Sequence, residues 1–77
     1  MSPASRLILH ELVRVAVAMA NGEPGVFTTE HFMAACAADF DMPPGFLTED
    51  RWKAWAFDVL TRASWVTRID GFRWRIR

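Results

Sequence analysis

Arginine side chains near the carboxyl end are the residues of this 77-residue chain with the greatest capacity for chemistry. Six of the seven cations after position 50 are arginines, and a planar guanidinium makes two-point contacts with phosphate or carboxylate. The candidate binding residues are Arg51, Arg62, Arg68, Arg73, Arg75 and Arg77. Their number and type predict recognition of an anion, either DNA or an anionic protein surface.

Charge is unevenly distributed along the chain, although the formal net charge is zero. Residues 1–50 carry two basic and seven acidic side chains, whereas residues 51–77 carry seven basic and two acidic ones. Such asymmetry indicates a nucleic-acid-binding or polar protein-binding surface. The alternative is that the two halves fold together and neutralise each other, with Arg51 and Arg62 paired to local acids such as Glu49 and Asp58.

Residues that usually carry catalysis or bind metals are too few to form a site. His10 and His31 are far apart, Cys36 lies among alanines, and no glycine-rich phosphate loop is present. We therefore expect no enzyme activity, no metal and no cofactor, structural roles for both histidines, and an inert buried thiol.

A single cysteine excludes a disulfide scaffold and favours the cytoplasm. Charges interrupt the longest apolar stretch, residues 7–20, so no membrane contact is expected.

Apolar periodicity and capping signals predict three helices, over about residues 5–20, 29–38 and 49–63. Thr28 and Thr48 are the expected N-caps of the second and third helices. The first helix has an apolar surface much wider than that of an ordinary surface helix. It therefore lies at the centre of the core or also contacts another chain, and the central position is the simpler interpretation.

A β-hairpin is predicted over about residues 65–76, where Asp70-Gly71 separates two alternating segments. A two-residue type I′ turn would pair Ile69 with Phe72. It would hold Gly71 in a left-handed conformation, so that Gly71→Ala should weaken the domain. The side chains placed together on the outer face would be those of Arg68, Arg73, Arg75 and Arg77. Because like charges facing each other are destabilising, such a display favours an anionic partner.

Three helices followed by a terminal hairpin resemble a winged-helix (winged helix-turn-helix) domain, and the segment from Val59 to Ile76 carries most of the resemblance. The expected fold is a single α+β domain over residues 1–77, mainly α, with a two-stranded wing. The resemblance implies that the third helix enters the major groove of DNA, with Arg51, Thr61 and Arg62 reaching base edges. It also implies that the wing residues Arg68, Arg73 and Arg75 contact phosphates.

Two functions from different classes follow. The first is a small winged-helix-like nucleic-acid-binding module, a transcriptional regulator working as a homodimer. The second is a non-enzymatic protein-interaction module on the same fold, such as a subunit adaptor or a phage-type inhibitor that docks on a nucleic-acid-handling complex. The neutral net charge, the acidic first half and the acids on the third helix favour the second function.

Overall fold

Three helices and a small antiparallel sheet make up the chain. A computed structural model describes the backbone of residues 3–77 and the side chains of residues 8–77. The elements in chain order are α1 (Pro3–Ala20), β1 (Val26–Thr28), α2 (Thr29–Asp39), α3 (Asp50–Arg62), β2 (Val66–Arg68) and β3 (Arg73–Ile76). The predicted α+β, helix-dominated class is confirmed, and each helix begins and ends within two residues of the predicted bounds.

The N-cap of α2 is Thr28, as predicted. Its hydroxyl accepts a 3.1 Å hydrogen bond from the backbone N–H of His31, and its own N–H donates to Nδ1 of His31 at 3.2 Å. This reciprocal capping box satisfies two backbone donors that the first turn would otherwise leave free. His31 thus has a structural role at the start of α2.

The predicted N-cap of α3, Thr48, is wrong: Glu49 occupies that position and makes no side-chain capping bond. Residues 44–48 form a turn around Gly45, whose φ is +80°. Within this turn the N–H of Thr48 donates to the carbonyl of Gly45 at 3.0 Å, and its hydroxyl reaches the same oxygen at 3.4 Å. The side chain of Thr48 therefore serves the turn and not the helix.

The sheet has three antiparallel strands in the order β1-β3-β2, so the predicted two-stranded wing is part of a larger sheet. The extra strand, β1, places Phe27 opposite Trp74. In the sequence the segment before α2 shows only the features of a helix start, because three residues are too few to show strand periodicity. As a result β3 is the central strand and β2 is an edge.

The hairpin pairs one residue away from the predicted register. Val66 lies opposite Ile76 and Arg68 opposite Trp74, and the N–H of Ile69 donates to the carbonyl of Arg73 at 2.9 Å. The loop therefore contains three residues, 70–72, and the predicted Ile69–Phe72 pair is wrong.

The carboxylate of Asp70 accounts for the wider loop. Its Oδ1 accepts hydrogen bonds from the backbone N–H groups of Phe72 and Arg73, at 3.1 and 3.0 Å. This Asx-type bonding supports the loop without a left-handed glycine. Gly71 has no positive φ, and a Cβ added to it would meet no atom within 4 Å. The reason given for a damaging Gly71→Ala substitution is therefore wrong.

The hydrophobic core lies between the inner sides of α1 and α3, α2 and the sheet. Its largest fully buried side chains include Phe27, Phe32 and Trp74. Helix α1 buries one side only: Val13 is completely buried, whereas Ile8 is 50% and Met19 is 42% exposed. The helix thus contributes to the core, as its expected central position requires, but part of its apolar surface stays in contact with solvent. No described helix is long and apolar enough to cross a membrane.

Candidate nucleic-acid interface

The six arginines singled out in the sequence do not form one cluster. Four of them are in exposed ion pairs, which are Arg51–Glu49 at 2.7 Å, Arg62–Asp58 at 3.2 Å, Arg73–Asp70 at 2.8 Å and Arg75–Glu23 at 3.2 Å. The first two pairs are those that the neutralisation alternative named. Exposed pairs of this kind contribute about 0–1 kcal/mol and exchange readily with other partners.

The slipped register divides the wing arginines between the two faces of the hairpin. Arg68 lies on the same face as Trp74, whereas Arg73 and Arg75 alternate onto the opposite face. Arg77 follows the last residue of β3, and its Nε reaches the hydroxyl of Thr67 on the edge strand β2. The predicted display of all four on one face is wrong. The physical reason is the period of two in a strand, which moves every side chain of one strand when the pairing shifts by one residue.

The arginines of α3 are also separate from the hairpin. At about 100° per residue, Trp55 and Val59 lie on one flank of α3, and Phe57 and Thr61 lie about 200° away on the other. Arg51 and Arg62 fall near the Trp55 flank, whereas the hairpin arginine Arg68 contacts the Phe57 flank. The predicted site therefore divides into two surfaces on opposite sides of α3.

A groove of about 430 Å³ lies between the carboxyl-terminal half of α3 and the edge strand β2. Its lining residues are Phe57, Thr61, Val66, Thr67, Arg68, Trp74 and Arg77. We call it the basic groove, because both of its charged lining residues are arginines.

Arg68 and Arg77 form no ion pair among residues 8–77. The guanidinium carbon of Arg68 lies 5.4 Å from the ring centroid of Phe57. Nε of Arg77 donates to Oγ1 of Thr67 at 2.6 Å, which leaves its terminal nitrogens and the Thr67 hydroxyl proton available. Two guanidinium groups with unshared N–H donors thus line one groove, the arrangement that suits a phosphate oxygen.

Aromatic packing holds the floor of the basic groove in place. The ring of Phe57 meets Trp74 edge to face, with centroids 5.2 Å apart, and Trp74 is 1% exposed. A cation above a fixed ring is attracted to the ring face and loses less side-chain freedom when it binds an anion. Arg68 is therefore held near the mouth of the groove before any ligand arrives.

Lys53 was not singled out in the sequence, although it belongs to the same flank of α3. It lies about one helical turn before Phe57 and forms no ion pair among residues 8–77. The spacing of four residues from Phe57 to Lys53 and to Thr61 was the available signal. This spacing identifies Lys53 only after the structure has shown that Phe57 faces the hairpin.

Arg73 and Arg75 are engaged on the opposite face of the sheet. The backbone N–H of Phe72, followed by the Arg73 guanidinium, lowers the pKa of Asp70 below its ordinary value. The carboxylate of Asp70 therefore stays ionised beside Arg73. Arg75 joins the hairpin to Glu23 in the acidic half of the chain.

The remaining chemically interesting side chains serve the fold. His10 stacks on Trp65 with ring centroids 3.8 Å apart and an interplanar angle of 13°. Cys36 is 1% exposed, and burial, aided by the negative charge of Asp39, raises the pKa of its thiol to about 11. No group of three or more potential metal ligands occurs within the described part of the chain.

A second groove, of about 440 Å³, lies between α1 and α3 with α2 as its floor. Its lining residues are Ile8, Leu9, Leu12, Phe32, Cys36, Phe40, Met42, Trp55 and Val59, and we call it the apolar groove. Ile8, Phe40 and Trp55 are 50%, 47% and 41% exposed. The broad apolar surface of α1 is the signal for this groove in the sequence, but it does not by itself locate a groove.

Comparisons of the chain with protein-family models, with curated proteins and with solved structures found no match.

Proposed function

We propose that this chain is a small winged-helix-like module that binds nucleic acid through the basic groove, with Arg68 and Arg77 contacting phosphates. The observation that carries the proposal is that these two guanidinium groups line one groove beside the carboxyl-terminal half of α3, and that neither has a carboxylate partner among residues 8–77. Contacts between arginine and phosphate supply affinity that does not depend on base sequence.

The order of the elements supports duplex DNA as the ligand. Three helices precede an antiparallel pair of strands, as in the winged-helix pattern, and β1 joins the sheet without changing that order. The acidic start of α3, at Glu49 and Asp50, lies about 16 Å along the helix from Thr61. The basic groove is therefore separated from the acidic start of the helix, and Asp58, which lies closer to it, is paired with Arg62.

Fluorescence anisotropy with a labelled duplex of mixed sequence, titrated at several salt concentrations, tests the proposal. The wild-type chain should bind at low salt, with an affinity that falls steeply as salt rises. Arg68→Ala/Arg77→Ala should weaken binding and reduce the slope of log K against log salt by about two.

The matched control is Arg73→Ala/Arg75→Ala, which removes the same charge from the other side of the sheet and from existing ion pairs. It should retain most of the affinity. If both double variants lose affinity equally, the basic groove is not the site. If the wild-type chain does not bind duplex DNA at low salt, the whole proposal is overturned.

A second candidate function is a protein-interaction module, and the apolar groove favours it. Trp55 and Phe40 are large apolar side chains left in solvent at the rim of a cavity, and contiguous exposed apolar surface commonly marks a contact with another protein. Absence of DNA binding, together with a protein complex that Trp55→Ser abolishes, would favour this function. Under either function the proposed location is the cytoplasm, as the single cysteine suggests.

A further inference from the structure

We propose that helix α1 of a second copy of the chain occupies the apolar groove, so that the protein is a two-fold symmetric dimer. The proposal does not depend on nucleic-acid binding. It rests on the apolar surface that α1 leaves uncovered, on the position of the groove along α1, and on the charges around the groove.

One flank of α1 has the apolar spacing of a helix-pairing seam. The seam consists of Ile8, Leu12, Val15 and Met19, which are separated by four, three and four residues. This alternation is the a/d pattern that brings two helices together along their length. Leu12 is buried in the core of its own chain, but Ile8 and Met19 are half exposed and Val15 is only partly buried, so three of the four seam positions still present apolar surface.

The groove extends beside only the first half of the seam, which determines how two copies fit. Ile8 and Leu12 line the groove, whereas Val15 and Met19 do not. An antiparallel pairing of two α1 helices seats the Val15–Met19 half of each helix in the groove of the other. The two-fold axis then passes between Leu12 and Val15, and Ile8 of each copy lies opposite Met19 of its partner.

Charge favours this occupant. No seam position is charged, and the last turn of α1 has no basic residue to compensate the negative end of its helix dipole. None of the residues that line the groove is charged either, so the groove and the seam match in polarity. The formal net charge of zero removes any long-range repulsion between copies.

The dimer leaves the basic groove open. The apolar groove uses the Trp55 and Val59 flank of α3, and the basic groove uses the Phe57 and Thr61 flank about 200° away. Two basic grooves related by a two-fold axis would suit a duplex site with two symmetric halves.

Size-exclusion chromatography with light scattering, over a range of concentrations and without nucleic acid, tests the dimer. The wild-type chain should have twice its 8.8 kDa mass at high concentration. Ile8→Glu should have the monomer mass, because it buries a charge in the seam. Phe72→Glu is the matched control: Phe72 is 55% exposed on the hairpin loop and should leave the dimer intact. Circular dichroism should show that both variants are folded.

A wild-type chain that stays monomeric at the highest concentration overturns the proposal. If the dimer survives Ile8→Glu, or if Phe72→Glu disrupts it as much as Ile8→Glu does, the proposed location of the dimer interface is overturned. A larger complex formed only with another protein would assign the groove to that partner instead. Because no nucleic acid is present, failure here is distinct from failure of DNA binding.

Disulfide trapping tests the antiparallel arrangement without relying on a disruptive variant. Ile8→Cys and Met19→Cys chains, mixed and treated with a mild thiol oxidant, should form the mixed 8–19 disulfide in excess over either homodisulfide. The native Cys36 is buried and should not interfere. An excess of 8–8 and 19–19 disulfides would contradict the arrangement.

Discussion

The indole N–H of Trp74 donates a 2.9 Å hydrogen bond to the hydroxyl of Thr29, 45 residues earlier in the chain. Both residues are buried, and the backbone N–H of Thr29 donates in turn to the carbonyl of Phe72 at 2.9 Å. The first residue of α2 therefore gives the buried indole N–H of Trp74 its acceptor and the carbonyl of Phe72 a donor. Through this link α2 supports the ring that lies under Phe57 and the basic groove.

Loss of the Thr29 hydroxyl should destabilise the domain. Thr29→Val keeps the side-chain shape but leaves the Trp74 N–H buried without an acceptor, which costs about 1–3 kcal/mol. In a domain of this size each kcal/mol corresponds to a shift of about 4–8 °C in the melting temperature. Thermal unfolding followed by circular dichroism measures the effect.

The control for this substitution is Thr67→Val, which removes the exposed hydroxyl of a threonine in β2. Its melting temperature should stay close to that of the wild-type chain. Equal melting temperatures for Thr29→Val and Thr67→Val would contradict the importance of the buried hydrogen bond.

The hairpin loop should depend on Asp70 and not on Gly71. Gly71→Ala should leave the melting temperature almost unchanged, because φ at this position is not positive and the added Cβ meets open space. Asp70→Ala should lower it, because the backbone N–H groups of Phe72 and Arg73 lose their acceptor. A damaging Gly71→Ala would support the two-residue turn instead.

The effect of Asp70 should also depend on pH. Its hydrogen bonds lower the pKa of the folded carboxyl below the ordinary 3.8. The stability it contributes is therefore complete above pH 3.8 and is lost as the pH falls through the lower folded value. The difference in melting temperature between the wild-type chain and Asp70→Asn should shrink as the pH is lowered below 3.8.

Cys36 should react slowly with thiol reagents in the folded chain. With a pKa of about 11, about one thiol in a thousand is ionised at pH 8, against about one in ten at the ordinary value of 9.0. Burial within the apolar groove adds a steric barrier. A colorimetric disulfide reagent should label the thiol much faster in urea than in buffer. Rapid and complete labelling of the folded chain would contradict this.

Local chemistry made the helices predictable. The helix bounds follow from apolar spacing, and the cap of α2 follows from a threonine whose hydroxyl can accept from the N–H of the third helical residue, His31. These signals lie within a few residues of one another, so they act before any distant part of the chain is in place. The N-cap of α3 was mispredicted because the neighbouring Gly45 turn takes the hydroxyl of Thr48.

The register of the hairpin is not determined by local sequence signals. The dipeptide Asp70-Gly71 indicates a turn, but two loop lengths are compatible with it, and pairing of β3 with β1 as well as β2 accompanies the longer one. Because the choice shifts the pairing by one residue, it also decides which arginines share a face. The positions of Arg68 and Arg73 could not be assigned before the sheet was known.

The amino-acid sequence by itself determined three helices, a carboxyl-terminal hairpin and the concentration of arginines near the end of the chain, since all three depend on residues close together. Only the tertiary structure decided that Arg51, Arg62, Arg73 and Arg75 are paired with acids while Arg68 and Arg77 are left to line a groove. It also decided that α1 keeps an uncovered apolar flank. Ion pairing and burial depend on which distant surfaces meet, and that information is not contained in the spacing of residues along one element.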